Sequence, residues 1–197
     1  MKPLFAAGEF AATEMREEDI PRLQAFFEAN PEYDLAVNGA PPGPTAARDE
    51  FASRPPAEMR HDKCWVLQVD GADGAMAAMA GIVSNMLAPG VWHIGLFIVA
   101  TRSFGTGVAA ELHAALLHWA RTKGARWMRL GVVQGNGRAE RFWQRQGYVE
   151  TRVREGIAMG ARINTVRVMV KPLDGGTVDD YLASVARDRP EPRCEAS

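Results

Sequence analysis

The segment Arg102-Ser103-Phe104-Gly105-Thr106-Gly107 combines residue types and spacing that suit anion binding. Two glycines let the backbone approach a ligand closely, and amides gathered at a helix start point outward, where the helix dipole favours negative charge. Pyrophosphate is the natural guest of such a loop. A tight strand-to-helix turn without a ligand is the plain alternative for an isolated Gly-x-Gly. A dinucleotide-binding loop also needs a third small residue and an acidic group about 20 residues on, at the end of the next strand. Ala110 can serve as the small residue, but Gly131-Val132-Val133 closes the next apolar run without an acid. A nucleoside-triphosphate loop needs Gly-Lys-Ser or Gly-Lys-Thr, and here Val108 follows Gly107.

The elements around the loop follow from periodicity. Val91–Val99 reads as a strand, Val108–Thr122 as a helix with the apolar stripe Val108, Leu112, Leu116 and Trp119, and Trp127–Val133 as a strand apolar on both faces. Strand, helix, strand is a right-handed crossover joining parallel strands. Asn136 can cap a short helix running to Gln146, with Gly147 as its left-handed terminator. Upstream, Gly8–Met15 suggests a first strand, Glu17–Ala29 an amphipathic helix with acids in its first turn, and the stretch to Ser53 further helical pieces broken by prolines. Cys64–Val69 and Ala75–Met86 form a hairpin, and Tyr148–Thr151 and Asn164–Lys171 supply two last strands, with Gly160 near their turn. The fold class is α/β (α+β) with a mixed, mostly antiparallel sheet. Residues 1–172 form a single domain, and 173–197 read as a polar C-terminal appendage.

Composition sets outer bounds. The chain has 197 residues, 47% hydrophobic and 24% charged, which suffices for a buried core. Lys and Arg number 23 against 24 Asp and Glu, a net charge of −1, without the basic excess of nucleic-acid binders. The longest nearly apolar run, Ala75–Val83, is well short of the ~20 residues of a membrane helix, and Glu9 and Glu14 stand where a secretory signal would need a long apolar stretch, so none is expected. Cys64 and Cys194 are far apart and suggest neither a disulfide framework nor a metal site, which suits a reducing cytoplasm. His113 and His118, five apart, do not share a helix face, so no metal is expected.

The loop resembles the Gln/Arg-x-x-Gly-x-Gly/Ala motif of the GCN5-related N-acetyltransferases. The resemblance continues through Asn136-x-x-Ala139-x-x-Phe142-Trp143-x-x-x-Gly147-Tyr148 and spans about Val91 to Thr151. It implies that acetyl-CoA is the cosubstrate. Its pyrophosphate is then held by the loop, which Arg102 opens and which comprises Ser103, Phe104, Gly105, Thr106, Gly107 and Val108. Its pantetheine arm pairs with the splayed strand at Gly95, Leu96 and Phe97, as an added strand would pair with a sheet edge. Asn136 aligns with an asparagine that contacts the cofactor, a role that can coexist with capping. Dimers are common among proteins the chain resembles, and a homodimer is one form open to it, although the sequence does not fix the oligomeric state.

The resemblance also implies direct acetyl transfer to a primary amine. That chemistry needs a neutral nucleophile, a donor for the developing oxyanion and a proton for the leaving thiolate. A backbone amide near Gly95–Phe97 can supply the oxyanion donor. The family's usual proton donor is a tyrosine, but Trp143 stands at its position, and the strand Trp127–Val133 lacks the usual carboxylate base. His93 is the candidate base, because imidazole titrates near neutral pH and strict alternation puts it on the face of Gly95 and Phe97. Its alternative is a half-buried histidine with a satisfied hydrogen bond. Tyr33, Asp34 and Asn38 fall in the variable stretch that closes over the acceptor in the family, and Glu32 with Asp34 suits a cationic amine. A small-molecule amine is therefore the expected partner, with neither nucleic acid nor membrane. A protein or peptide acetyltransferase and a catalytically silent acyl-CoA-binding module are the alternatives.

Overall fold

The computed structural model describes residues 2–191. Cys194 therefore lies outside the described residues. In chain order the elements are β1 (Phe5–Ala7), β2 (Phe10–Glu14), α1 (Ile20–Ala29), α2 (Glu32–Val37), α3 (Ala46–Ala52), β3 (Cys64–Asp70), β4 (Met76–Val83) and β5 (Val91–Val99). There follow α4 (Val108–Thr122), β6 (Trp127–Val133), α5 (Gly137–Arg145), β7 (Val149–Met159), β8 (Arg162–Pro172) and α6 (Val178–Ser184). The first expected strand is thus a two-strand hairpin that turns at Gly8. The last two strands are longer than the apolar pattern suggested, because their outer residues pair as a ribbon beyond the core. Among the described residues no helix is long and apolar enough to cross a membrane.

All strands join one mixed sheet in the order β1-β2-β3-β4-β5-β6-β8-β7, and β5 with β6 is its parallel pair. β4 is buried along its whole length, so both of its faces carry core. Ala80 and Ile82 on one face pack with Leu116, Trp119 and Trp143 from α4 and α5. Met76 and Met79 pack with Leu23, Phe26 and Phe27 of α1 on the other. Trp92 belongs to the first of these layers: it is 2% exposed and stacks on Trp65 with ring centroids 5.1 Å apart.

The pairing of β4 with β5 slips by one residue. Gly81 opposes Leu96 and Ile82 opposes Ile94, which leaves Gly95 as a bulge. A bulge reverses the side-chain parity beyond it. Trp92 and Ile94 therefore point to the α4 layer before the bulge, and Phe97 and Val99 do so after it. This corrects the expectation for His93, which lies on the opposite face from Phe97.

Residues 173–191 dock onto the sheet. Tyr181 and Asp188 are fully buried, and Val185 packs with Tyr181, Val91, Trp127 and Val170. The polar composition of this stretch hid the docking, in which Tyr181 and Val185 are buried together with one acid. Asp188 accepts from Arg129 Nε at 2.6 Å and Nη2 at 3.2 Å, from Arg154 Nη2 at 3.0 Å and from the Tyr181 hydroxyl at 2.5 Å. Burial pushes its carboxyl up, but Arg129 outweighs that and the net shift is downward. The ion pairs therefore stabilise the fold above the ordinary carboxylate range, and that contribution fades as pH falls through the depressed value. Replacing Asp188 by Asn should cost about 3 kcal/mol, because Arg129 is left buried with its charge uncompensated. Thermal unfolding should then show a melting temperature lowered by roughly 6–12 °C, and an unchanged midpoint would refute the role.

Candidate active site

β5 pairs with β6 only from Val91 opposite Trp127 to Ile94 opposite Leu130. β5 nevertheless runs on to Val99 and β6 to Val133, where β6 keeps its other partner, β8. The two strands therefore separate at the bulge, and the edge of β5 from Gly95 onward faces an opening instead of a neighbour. A strand edge without a partner offers main-chain donors and acceptors to an extended guest.

The chain leaves this edge through a 3-10 turn over Thr101–Ser103 and enters α4 through the glycine loop. Gly105 and Gly107 have φ of 78° and 93°, in the left-handed region that favours glycine. A Cβ at either would meet nothing within 4 Å, so the glycines serve backbone direction and leave open space. The amides of Gly105, Gly107 and Ala109 donate to no protein acceptor among the described residues. They lie at the N-terminus of a fifteen-residue helix, where the dipole adds to their attraction for an anion.

Loop and edge border one cleft of about 520 Å³, lined by Phe97, Ser103, Phe104, Gly105, Gly107 and Asn136 among others. Phe104 is 38% exposed at its rim, and the Arg138 guanidinium lies 3.9 Å from its ring centroid. Arg138 is a cation that the motif reading missed; its position in the first turn of α5, just after Asn136, was the available signal. Asn136 borders the cleft and also caps α5, accepting from the Ala139 amide at 3.3 Å. Arg102 departs from expectation. Its Nη2 donates to the Met76 carbonyl at 3.2 Å, which turns it toward β4 and away from the cleft. The Thr106 hydroxyl donates to the Ser103 carbonyl at 2.8 Å and thereby shapes the loop. Val108 opens α4 without bordering the cleft, and Leu96 is buried in the α1 layer.

Trp143 is buried, with its ring centroid 5.8 Å from that of Phe97 and 5.3 Å from that of Tyr148. It therefore closes the inner wall of the cleft. The Tyr148 hydroxyl is bonded to His113 Nε2 at 3.0 Å behind that wall. Both His113 and Tyr148 are buried, and burial drives the His113 imidazole down to about 4.

α2 covers the opening between the strands and is fixed at both ends. Asn164 Nδ2 donates to the Val37 carbonyl at 2.9 Å, and Thr101 Oγ1 donates to Glu32 Oε2 at 2.6 Å. Glu32 is thereby engaged by the loop, while Asp34 accepts from Asn38 Nδ2 at 2.8 Å. Tyr33 borders both the cofactor-sized cleft and a second cavity that holds Asp34, Glu50, Gly95 and Leu96. Burial, then the charges of Glu50 and Asp34, push its phenol up, so it stays protonated across the physiological range.

Glu50, on α3, was not singled out from sequence. Its carboxylate lies over Gly81, where a Cβ would come within 2.8 Å of Oε1. Gly81 opposes Leu96 beside the bulge, so the acid reaches the point where the strands part. Burial and then the charge of Asp34 push the Glu50 carboxyl up, and it has no ion-pair partner among the described residues. His93 behaves differently. Its Nδ1 lies 3.1 Å from the Arg129 carbonyl and 3.3 Å from Arg129 Nη1, and burial, then the Arg129 charge, drives the imidazole down to about 3. It is therefore neutral at neutral pH.

Comparison with known proteins agrees with this geometry. The model of the acetyltransferase (GNAT) family matches residues 20–148, and the chain belongs to that family. It is therefore an acyltransferase of the N-acetyltransferase class, in a family that uses acetyl-CoA. Among solved structures, spermidine N-acetyltransferase from Vibrio cholerae, in complex with CoA and spermine, superposes with a TM-score of 0.64 at 15% identity, covering 84% of this chain and 96% of that one. The ribosomal-protein-S18-alanine N-acetyltransferase from Escherichia coli gives 0.61 at 14% identity, with coverage of 85% and 96%. A GCN5-related N-acetyltransferase from Kribbella flavida gives 0.61 at 21%, with coverage of 84% and 99%. Comparison with curated proteins returned no match.

Gly105→Glu should abolish acetyl-CoA binding, because it strains a left-handed residue and sets a carboxylate among the free amides. Titration calorimetry checks this, and wild-type affinity in the variant would refute the cradle.

Proposed function

We propose that this chain transfers an acetyl group from acetyl-CoA directly to the primary amine of a small molecule. The observation that carries the proposal is the open edge of β5 from Gly95 beside three unpartnered amides at the start of α4. The loop amides, with Arg138 nearby, suit the pyrophosphate. The free edge at Gly95–Phe97 suits the pantetheine arm and offers an amide to the thioester oxygen as negative charge develops there.

Glu50 is the proposed base. Its carboxyl is raised toward neutrality and borders the point where the strands part, which suits it to take the proton that nitrogen sheds as the C–N bond forms. We assign no base role to His93, which burial and the Arg129 charge drive down to about 3 and whose Nδ1 lies against the Arg129 carbonyl. Trp143 cannot protonate the departing sulfur. We assign that role to Tyr33, which borders both the cofactor cleft and the Glu50 cavity. The proton then passes from nitrogen to Glu50, and Tyr33 delivers one to sulfur and recovers it from Glu50. The C–N bond forms, the C–S bond breaks, and the enzyme ends unchanged.

Because only the ionised carboxylate accepts a proton, kcat/KM should rise with pH through an acid limb above the ordinary glutamate range. Glu50→Gln should remove that limb and lower kcat by roughly 100-fold or more. Tyr33→Phe should lower kcat with little change in the KM for acetyl-CoA. Thiol release followed from pH 5 to 9 checks both, and an intact acid limb in Glu50→Gln would dismiss Glu50.

A further inference from the structure

A third cavity, of about 380 Å³, opens where β5 and β6 part and shares Tyr33, Phe97, Asn136 and Trp143 with the cofactor cleft. Its floor is apolar, with Val37, Ile157 and Val166 among its lining, and its far wall carries Arg129, Arg154 and Arg187. No carboxylate lines it among the described residues. The one buried acid behind the wall, Asp188, is already shared by Arg129 and Arg154. Three guanidinium groups meet one buried carboxylate here, and exposed Glu58 is the other acid whose charge reaches Arg187, so positive charge still exceeds negative along this wall.

The unmet bonding capacity is specific. Arg187 makes no side-chain hydrogen bond or ion pair among the described residues. Arg154 donates through Nη2 to the Arg187 carbonyl at 3.1 Å and to Asp188, but its Nε is buried without a partner. Burial and then the neighbouring Arg154 charge push the Arg187 guanidinium down, and the charges of Asp188 and Glu58 offset this only in part. On the other side of Gly95 the signs reverse, with Glu50 and Asp34 in the adjoining cavity.

We infer that the acceptor is a zwitterion, an amine that carries a carboxylate, whose anionic end is held by Arg187 and Arg154 while its amine lies at Gly95 beside Glu50. This rests on the acetyl-transfer reading and narrows its substrate class. The apolar floor between the two charged ends suits an aliphatic spacer or side chain. Planar guanidinium donors match a carboxylate in two-point geometry, and a polycation would instead meet like charge along this wall.

The test is thiol release with matched acceptors. Aliphatic ω-amino acids and α-amino acids with apolar side chains are each compared with the corresponding carboxamide, alongside spermidine. The acids should show kcat/KM roughly tenfold or more above their carboxamides, carried mainly by KM, since one charge-assisted contact is lost. Arg187→Ala should erase that preference by bringing kcat/KM for the acids down to the level of their carboxamides, and Arg187→Lys should restore part of it. Release that is indifferent to the carboxylate, that favours spermidine, or that keeps its acid preference in Arg187→Ala overturns this inference alone. Absence of thiol release with every amine overturns the acetyl-transfer reading and this inference with it.

Discussion

Two parallel strands that pair for four residues and then separate govern the rest of this molecule. Separation exposes main-chain groups, which is costly unless water or a ligand takes them up. The sheet holds the gap open from both sides. The bulge at Gly95 alters the course of β5, while β8 keeps β6 straight along its whole length. The aromatic wall of Phe97, Phe142 and Trp143 prevents collapse from the α4 side. α2, tied to the β7–β8 ribbon and to the turn before the glycine loop, bridges the mouth.

Charge is sorted around that gap. Free amides and Arg138 lie at one end, Glu50 and Asp34 on the α3 side, and three arginines on the opposite side. Sorting of this kind matters most where water is scarce, because weak screening lets each group shift its neighbours. The same burial that raises Glu50 lowers His93, and the sign of the charge that each group carries decides the direction. The C-terminal segment takes part in this order. Asp188 anchors Arg129 and Arg154, and Arg187 precedes it in the chain, so this docked turn contributes to one wall of the cavity between the parted strands.

The glycine loop, the crossover and the cap at Asn136 were legible because each depends on residues adjacent in the chain: φ above zero, helical periodicity and a side chain reaching three residues on. The bulge was not, since register is a property of two strands, and its consequence was the misplaced face of His93. Glu50 was hidden for a related reason. Its significance comes from Gly81, thirty-one residues away, whose missing Cβ leaves room for a carboxylate. Arg102 fitted the motif by type, yet its guanidinium found a nearer acceptor in the Met76 carbonyl. The docking of residues 173–191 was hidden in a polar stretch, because Tyr181, Val185 and Asp188 meet their partners only in the folded chain.

The most direct measurement is amide hydrogen exchange with and without coenzyme A. The account predicts new protection confined to two stretches, Gly95–Val99 on the free edge and Phe104–Ala109 in the loop, with β4 and β8 already protected in both states. Protection elsewhere, or unchanged exchange at the edge and the loop under saturating cofactor, would contradict the claim that the parted strands receive the ligand.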